Sequence, residues 1–215
     1  MVHPEMLVEP VVQELRLPAG IVGPVEVTMD VRCFIVSHPD GLLLIDTGPG
    51  SADPIGEALN RAGAGWDDVT DVILTHAHPD HFGGLADVVA RSPQAVVWAG
   101  ARDCPDIPSP EPPRPLAEGD RVRSLQVVEA PGHTAGHICL SFEDRILFVG
   151  DALFSDAGAL GRAPEAFTAD PVQAEESLRK LARLEPERML FAHGPEIPDP
   201  VTALHRLLQD APEAP

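Results

Sequence analysis

The sequence predicts an α/β protein in which β-sheets pack on each other and helices cover the outside. Short runs rich in β-branched residues recur in both halves of the 215-residue chain, and glycine, proline or aspartate bounds them, as is typical of strands. Helix-like segments lie between and after these runs. Two of them open with aspartate followed by proline, a pair that favours a helix N-terminus.

The predicted elements follow each other along the whole chain. The predicted strands are residues 25–36 (as one or two strands), 42–45, 72–74, 95–98, 121–123, 126–129, 138–142, 146–149 and 189–191. The predicted helices are residues 53–62, 84–91, 170–184 and 201–209. Asp53 is predicted to be an N-cap, and residues 170–173 resemble a capping box. Six prolines in residues 104–115 predict an irregular loop, and residues 211–215 are expected to form a loose tail.

Length and composition predict a single domain over residues 1–215. The three cysteines, Cys33, Cys104 and Cys139, are widely spaced and odd in number, so we expect free thiols in a reducing compartment. No stretch approaches the roughly 18 apolar residues of a membrane span. The N-terminal residues lack the apolar core of a signal peptide. We therefore expect a cytoplasmic protein without a membrane partner.

The charge of the chain argues against nucleic acid as a partner. The formal net charge is −19, and Lys180 is the only lysine, so the phosphates of a nucleic acid would be repelled. We expect the partner to be a small-molecule substrate. The sequence leaves the oligomeric state open.

A dense cluster of metal-binding residue types follows the strand predicted at 72–74. Within six residues it contains His76, His78, Asp80 and His81, and imidazole and carboxylate are the side chains that hold zinc-like ions at neutral pH. An extended backbone lets His76 and His78 bind one ion, while Asp80 and His81 turn toward a second position. The following Gly83-Gly84 allows a tight turn and a close approach of another backbone segment.

Three more residues of these types stand in turns after strand-like runs. His133 lies in Ala130-Pro131-Gly132-His133, Asp151 follows Phe148-Val149-Gly150, and His193 follows Phe191-Ala192. One ion needs three or four ligands. These three residues and the four of the first cluster make seven candidate ligands, which indicate a two-metal site.

These motifs resemble the metallo-β-lactamase superfamily, in its broad metallo-hydrolase branch. The resemblance runs from Leu43-Leu44-Ile45-Asp46-Thr47-Gly48 to Phe191-Ala192-His193-Gly194 and contains the motifs of the family in order. It implies an αβ/βα four-layer sandwich, in which two mixed sheets face each other and helices lie outside.

The resemblance also implies which residues hold the ions. The first ion is assigned to His76, His78 and His133, the second to Asp80, His81 and His193, and Asp151 bridges the two. Asp46 supports the site from behind, although an ordinary turn residue is an equal interpretation, and His137 has a structural role. The cofactors implied are two divalent ions, zinc in first place with iron or manganese as alternatives.

Such an ion pair predicts hydrolysis by an activated water. Two divalent ions can lower the pKa of a shared water toward ~7 and polarise the oxygen of the substrate. Asp80 is the catalytic candidate, because its carboxylate can orient the nucleophile or carry its proton.

Departures from individual branches of the family narrow the activity. β-Lactamases carry cysteine or serine where Asp151 stands and are exported proteins. Asp151 and the lack of a signal-peptide pattern therefore argue against β-lactamase activity. Glyoxalase II resembles the chain through Phe154, but its glutathione-gripping C-terminal region is not expected, since only 22 residues follow His193. Quorum-quenching lactonases use a tyrosine near the metals, and this chain contains no tyrosine.

The sequence therefore predicts a binuclear metal-dependent hydrolase of a small ester, thioester or lactone. The alternatives are a mono-iron oxidoreductase similar to persulfide dioxygenases and a phosphodiesterase-type hydrolase of the same fold. Candidate walls of the substrate pocket are Phe82, Ile107, Phe154 and Phe167. Arg162 is interpreted either as a residue that faces the substrate or as a solvated surface residue.

Overall fold

The computed structural model describes residues 7–21 and 23–210. The predicted tail at 211–215 lies outside these residues. The chain divides into two compact units, with the boundary between Pro115 and Leu116, and each unit is described by itself. The single domain expected over residues 1–215 stays a prediction.

The N-terminal unit is built on a sheet whose strand order follows the chain. Its strands are β1 (Val8–Leu17), β2 (Val27–His38), β3 (Gly41–Ile45), β4 (Val69–Leu74), β5 (Val96–Gly100) and β6 (Arg114–Leu116), the last of which reaches the unit boundary. Its helices are α1 (Asp53–Arg61), the single turn α2 (Pro79–Phe82) and α3 (Leu85–Arg91). Strands β1 to β3 are antiparallel, whereas β3, β4 and β5 are parallel.

The parallel strands form the buried centre of this unit. The β4 strand reads Val69-Thr70-Asp71-Val72-Ile73-Leu74, and all of its residues except Thr70 are buried. A strand covered on both faces is expected to be such an apolar run. Helix α1 packs its apolar face, which includes Ile55 and Leu59, into the same core. Strands β3 to β5 therefore end at one rigid edge of the sheet.

The C-terminal unit has a five-stranded sheet and a separate hairpin. Its strands are β7 (Arg121–Val122), β8 (Leu125–Glu129), β9 (Ile138–Phe142), β10 (Ile146–Phe148), β11 (Leu153–Asp156), β12 (Ala159–Arg162) and β13 (Arg188–Leu190). Its helices are α4 (Pro171–Ala182) and α5 (Pro200–Gln209). The sheet order is β13-β10-β9-β8-β7, and β11 pairs with β12. Since β9 is antiparallel to both β8 and β10, and β13 is parallel to β10, strands β8, β10 and β13 run in one direction.

The α/β class and most predicted elements are confirmed, with several differences. Strand β6 begins at Arg114, inside the loop predicted at 104–115, and the turn α2 was not predicted. The edge strand β1 was not predicted, because only Val11 is buried in it and Pro10 argues against a strand. The β11–β12 hairpin was not predicted either, because it contains no β-branched residue. It turns at Ala157-Gly158, and both residues have a positive φ. Asp53 is not the N-cap of α1: the cap is Ala52, and the N–H of Asp53 donates to the Ser51 hydroxyl at 3.1 Å.

The cysteines follow the sequence prediction. All three are free thiols, and Cys33 and Cys139 are buried while Cys104 is partly exposed. Burial raises the pKa of the Cys33 thiol to about 12 and raises that of Cys139 further. Both therefore stay protonated at neutral pH. Among the described residues, no helix is both long and apolar enough to cross a bilayer.

The predicted N-terminal cap of α4 is present. Asp170 Oδ1 accepts a hydrogen bond of 3.0 Å from the backbone N–H of Gln173, and Pro171 occupies the first turn. The cap fixes the start of a helix that buries Leu178 and Leu181 in the core of the C-terminal unit.

We expect Asp170→Ala to lower the free energy of unfolding by about 1 kcal/mol, because the N–H of Gln173 loses its acceptor. Urea denaturation followed by circular dichroism measures this change. Asp170→Asn is the matched control: it keeps an acceptor oxygen and should recover most of the stability. Equal losses in the two variants would contradict the capping role.

Candidate metal centre

In the N-terminal unit, polar loops follow the three parallel strands. Asp46 comes directly after β3, residues 75–78 come after β4, and Asp103 follows β5 by three residues. Since parallel strands end at the same edge of a sheet, their loops meet there, the usual place for a site in such sheets.

The predicted N-terminal ligands lie close together in the loop after β4. His76 Nε2 is 3.1 Å from His78 Nδ1, and the backbone of His78 is extended, as the alternation of the two histidines predicts. The helical turn α2 carries Asp80 and His81, with His81 Nε2 3.7 Å from Asp80 Oδ2. We call His76, His78, Asp80 and His81 the N-terminal set.

Asp46 holds this loop from behind. Its carboxylate accepts a hydrogen bond of 2.8 Å from the N–H of Thr75 and others from the Thr75 hydroxyl. His81 Nδ1 lies 2.8 Å from Asp46 Oδ2. A carboxylate accepts, so Nδ1 carries the proton and Nε2 keeps the lone pair that a metal needs. Asp46 is 2% exposed and has a φ of 60°, a backbone conformation rare for a residue other than glycine.

Two glycines let the β3 loop touch the segment that follows the histidines. A Cβ on Gly83 would lie 2.5 Å from the carbonyl carbon of Pro49, and one on Gly84 would lie 2.4 Å from the oxygen of Thr47. Thr47 in turn donates its N–H to the carbonyl of His81 at 2.7 Å. The close approach predicted for Gly83-Gly84 is therefore present.

Asp103 is a supporting residue that the sequence analysis missed. It is 2% exposed, and its Oδ2 accepts a hydrogen bond of 2.9 Å from the N–H of Ala77, between the two first histidines. The available signal was its place just after β5, at the edge where Asp46 and His76 lie.

The C-terminal unit repeats this arrangement with its three strands that run in one direction. His133 follows β8, Asp151 follows β10, and His193 follows β13. Asp151 Oδ2 lies 3.5 Å from His133 Nε2 and 3.4 Å from His193 Nε2. We call these three residues the C-terminal set. One carboxylate oxygen thus faces two imidazoles.

Each ligand loop of this unit is fixed by its own backbone. A Cβ on Gly132, whose φ is 131°, would lie 2.1 Å from the nitrogen of Ala174, so the loop of His133 lies directly against α4. The backbone N–H of Asp151 donates to His137 Nε2 at 3.1 Å. This bond supports the structural role predicted for His137.

The loop of His193 is fixed against β11. The carbonyl of His193 accepts a hydrogen bond of 3.0 Å from the N–H of Ser155, and the Ser155 hydroxyl donates to the carbonyl of Pro195. A Cβ on Gly194 would overlap the carbonyl oxygen of Ser155. Ser155 was not predicted to have this role, because the hairpin that carries it was not predicted.

The side chains of both sets fit a zinc-like ion. Tetrahedral zinc with bonds of about 2.0–2.1 Å places two ligand atoms about 3.3 Å apart. The nitrogen pair of His76 and His78 is 3.1 Å apart, and Asp151 Oδ2 is 3.5 and 3.4 Å from the nitrogens of His133 and His193. Imidazole and carboxylate are also the donors expected for such an ion. The assignment of individual residues to two ions stays a prediction.

A cavity of about 620 Å³ adjoins the C-terminal set. Its wall includes His133, Asp151 and Arg162, together with residues of α4. None of the four apolar residues predicted as pocket walls lines this cavity, and Ile107 is 5% exposed in the core of the N-terminal unit.

Comparison with known proteins gives the family. The family model described as the metallo-beta-lactamase superfamily matches residues 28–193. The chain belongs to the metallo-β-lactamase superfamily. Its match to a hydroxyacylglutathione hydrolase of Alkalilimnicola ehrlichii is 38% identical and covers 67% of this chain and 54% of that protein. A hydroxyacylglutathione hydrolase of Albidiferax ferrireducens is 36% identical, with 79% and 64% covered. The chain thus spans between half and two thirds of the length of these relatives.

Several solved structures share the fold of this chain. The TM-score is 0.70 to a metallo-beta-lactamase family protein from Thermus thermophilus, at 21% identity and with 93% of this chain and 78% of the other covered. The TM-score is 0.67 to TTHA1623 in a di-iron-bound form, at 28% identity and with 88% of this chain and 96% of the other covered. AidC, a dizinc quorum-quenching lactonase, gives 0.64 at 20% identity with 88% and 87% covered. The predicted metallo-β-lactamase fold is confirmed.

We expect Asp46→Asn to weaken zinc binding by roughly 10- to 100-fold, because His81 loses the carboxylate that fixes its proton on Nδ1. Competition with a chromophoric chelator measures the affinity. Asp67→Asn, at an exposed position, is the matched control and should bind zinc as the unchanged protein does. Unaltered affinity in a folded Asp46→Asn protein would show that the hydrogen bond does not orient His81 for a metal.

Proposed function

We propose that this chain is a metal-dependent hydrolase that uses two divalent ions, zinc in first place, to activate water against a small ester, thioester or lactone. The N-terminal and C-terminal sets together supply the ligands. In this proposal His76, His78 and His133 would hold the first ion, Asp80, His81 and His193 would hold the second, and Asp151 would be shared by both. This assignment follows from the order of the motifs and from membership of the superfamily.

The observation that carries the proposal is the position of Asp151. A single carboxylate oxygen lies 3.5 Å and 3.4 Å from the ring nitrogens of His133 and His193. A carboxylate that only paired with one histidine would not need to face both, whereas a bridging ligand must. Within the N-terminal set, two pairs of candidate ligands are close to each other, His76 with His78 and Asp80 with His81.

The names of relatives support a thioester or lactone as substrate. Hydroxyacylglutathione hydrolases of several bacteria are 33% to 38% identical to this chain. The names of two structural neighbours record two metals, a dizinc lactonase and a di-iron form. Iron is therefore the second candidate for the metal, and the choice belongs to experiment.

The chemistry divides between the ions and the chain. Divalent ions, when bound, lower the pKa of water and polarise a carbonyl oxygen. Asp80, which is 20% exposed at its side chain, accepts the proton that the attacking water loses. The oxygen of that water forms a bond to the carbonyl carbon, and the bond from this carbon to sulfur or oxygen breaks. One water is consumed, and the products are an acid and a thiol or alcohol.

We expect two zinc ions per chain in elemental analysis of the metal-loaded protein, because seven ligands exceed the needs of one ion. The loaded protein should hydrolyse at least one ester, thioester or lactone at neutral pH, and removal of the metal with a chelator should abolish the activity. Addition of zinc should restore it.

Other outcomes of this experiment would identify the alternatives. A single iron per chain, with oxygen consumed in the presence of a persulfide, would replace the proposal by the oxidoreductase. Turnover of a phosphodiester with no turnover of any carbonyl substrate would replace it by the phosphodiesterase. The absence of any bound metal would contradict all three.

We expect Asp151→Ala to reduce kcat/KM more than Asp46→Ala, because a bridging ligand is lost in the first variant and only an orienting residue in the second. Residues that orient ligands typically cost roughly 10- to 100-fold. Both variants are assayed on the same substrate, with their metal content measured. Equal reductions would mean that the roles assigned to the two carboxylates are wrong.

A further inference from the structure

The cavity beside the C-terminal set has the size and lining of a small-molecule pocket. Its volume of about 620 Å³ lies within the roughly 300–1,000 Å³ typical of such pockets. It opens on two candidate metal ligands, His133 and Asp151. Much of the remaining wall is apolar and small. This apolar part consists of Ala130, Ala152, Ala163, Pro171, Val172, Ala174 and Leu178.

The two arginines of the wall are engaged by one glutamate. Arg162 Nε donates to Glu175 at 2.8 Å, and its Nη2 donates to Glu175 at 3.2 Å and to the carbonyl of Leu207 at 2.8 Å. Arg179 lies 3.2 Å from the same carboxylate. Arg162 therefore joins β12 to α4 and α5. A substrate carboxylate could bind the Nε–Nη2 edge of this guanidinium only by displacing Glu175, which would cost the bidentate pair.

Two glutamates of the wall have no such partner. Glu165 and Glu176 line the cavity and are exposed. Among residues 7–21 and 23–210, neither side chain takes part in a hydrogen bond or an ion pair. Apart from Asp151, the ionic side chains of the wall are three glutamates and two arginines. The net charge of these five side chains is therefore −1, and the two side chains without a partner, Glu165 and Glu176, are both negative.

We propose that this cavity selects small thioesters and esters that are neutral or positively charged, and disfavours those that carry a carboxylate. The inference rests on the proposed hydrolase function and sets the substrate class of the same site. Glutathione thioesters carry two carboxylates, so the selectivity separates this chain from relatives named for such a substrate. One pair of unit charges about 8 Å apart in water changes a rate or an affinity by about two- to threefold.

Three acetyl thioesters that differ mainly in the charge of the thiol test this inference. Acetylthiocholine is a cation, the acetyl thioester of N-acetylcysteamine is neutral, and the acetyl thioester of 3-mercaptopropionate is an anion. The values of kcat/KM are measured from thiol release with the metal-loaded protein at low ionic strength. We expect the cation to exceed the anion by about fivefold or more, and the ratio should approach one in 1 M salt, where the Debye length is about 3 Å.

Reversing the charge of Glu165 and Glu176 tests whether these two side chains cause the selectivity. In the double variant Glu165→Lys with Glu176→Lys, two negative charges of the wall are replaced by two positive ones, so the anion should become the better substrate. The neutral thioester normalises both values for metal loading and folding. Glu143→Lys is the matched control, since Glu143 is an exposed glutamate of the same unit that does not line the cavity, and it should leave the ratio above one.

The outcomes separate the two proposals. If the neutral thioester is hydrolysed and the anion is equal to or better than the cation, the charge selectivity is overturned and the hydrolase function stands. A preference for the cation that survives in the double lysine variant overturns the role of Glu165 and Glu176. If none of the three thioesters is hydrolysed, nor any ester or lactone, both proposals fall.

Discussion

The hydrogen bonds that join the Asp46 carboxylate to the loop after β4 are the interaction on which the N-terminal set of candidate ligands depends. The carboxylate is buried, and a buried charge is tolerated only when hydrogen bonds satisfy it. Thr75 and His81 supply these bonds, so the charge and the loop fix each other. The same contacts fix the proton of His81 on Nδ1. The metal-binding nitrogen is thereby set before any ion arrives, which is how a supporting shell makes a site rigid.

Both units position their own set of candidate ligands by the same physical means. The ligands follow strands that run in one direction, so they emerge at one edge of a sheet. Glycines then allow neighbouring segments to approach closer than any side chain would permit, at Gly84 against Thr47 and at Gly194 against Ser155. Backbone contact of this kind leaves a loop little freedom to move. The free energy needed to order the candidate ligands thus comes from folding and not from metal binding.

The charge selectivity proposed for the cavity of the C-terminal unit depends on how the arginines of its wall are paired. Glu175 pairs with Arg162 of β12 and with Arg179 of its own helix α4, and only the first of these pairs joins the hairpin to the helix. Glu165 and Glu176 keep their charge for whatever enters. The total charge of −19 argues against polyanionic partners, and the arrangement inside the cavity extends that argument to small acids.

The sequence by itself determined the class of fold, the family and the candidate ligands, because these depend on residue type and on short spacings such as that of His76 to His81. It also determined the cap of α4, where the two partners are three residues apart. Tertiary structure alone decided which groups the supporting side chains bind. Asp46 and Thr75 are 29 residues apart, and Ala77 and Asp103 are 26 apart. It also decided that Arg162 pairs with Glu175, and that β1 is a strand although only Val11 is buried in it. Partners this distant meet through the pairing and direction of strands, which no local pattern records.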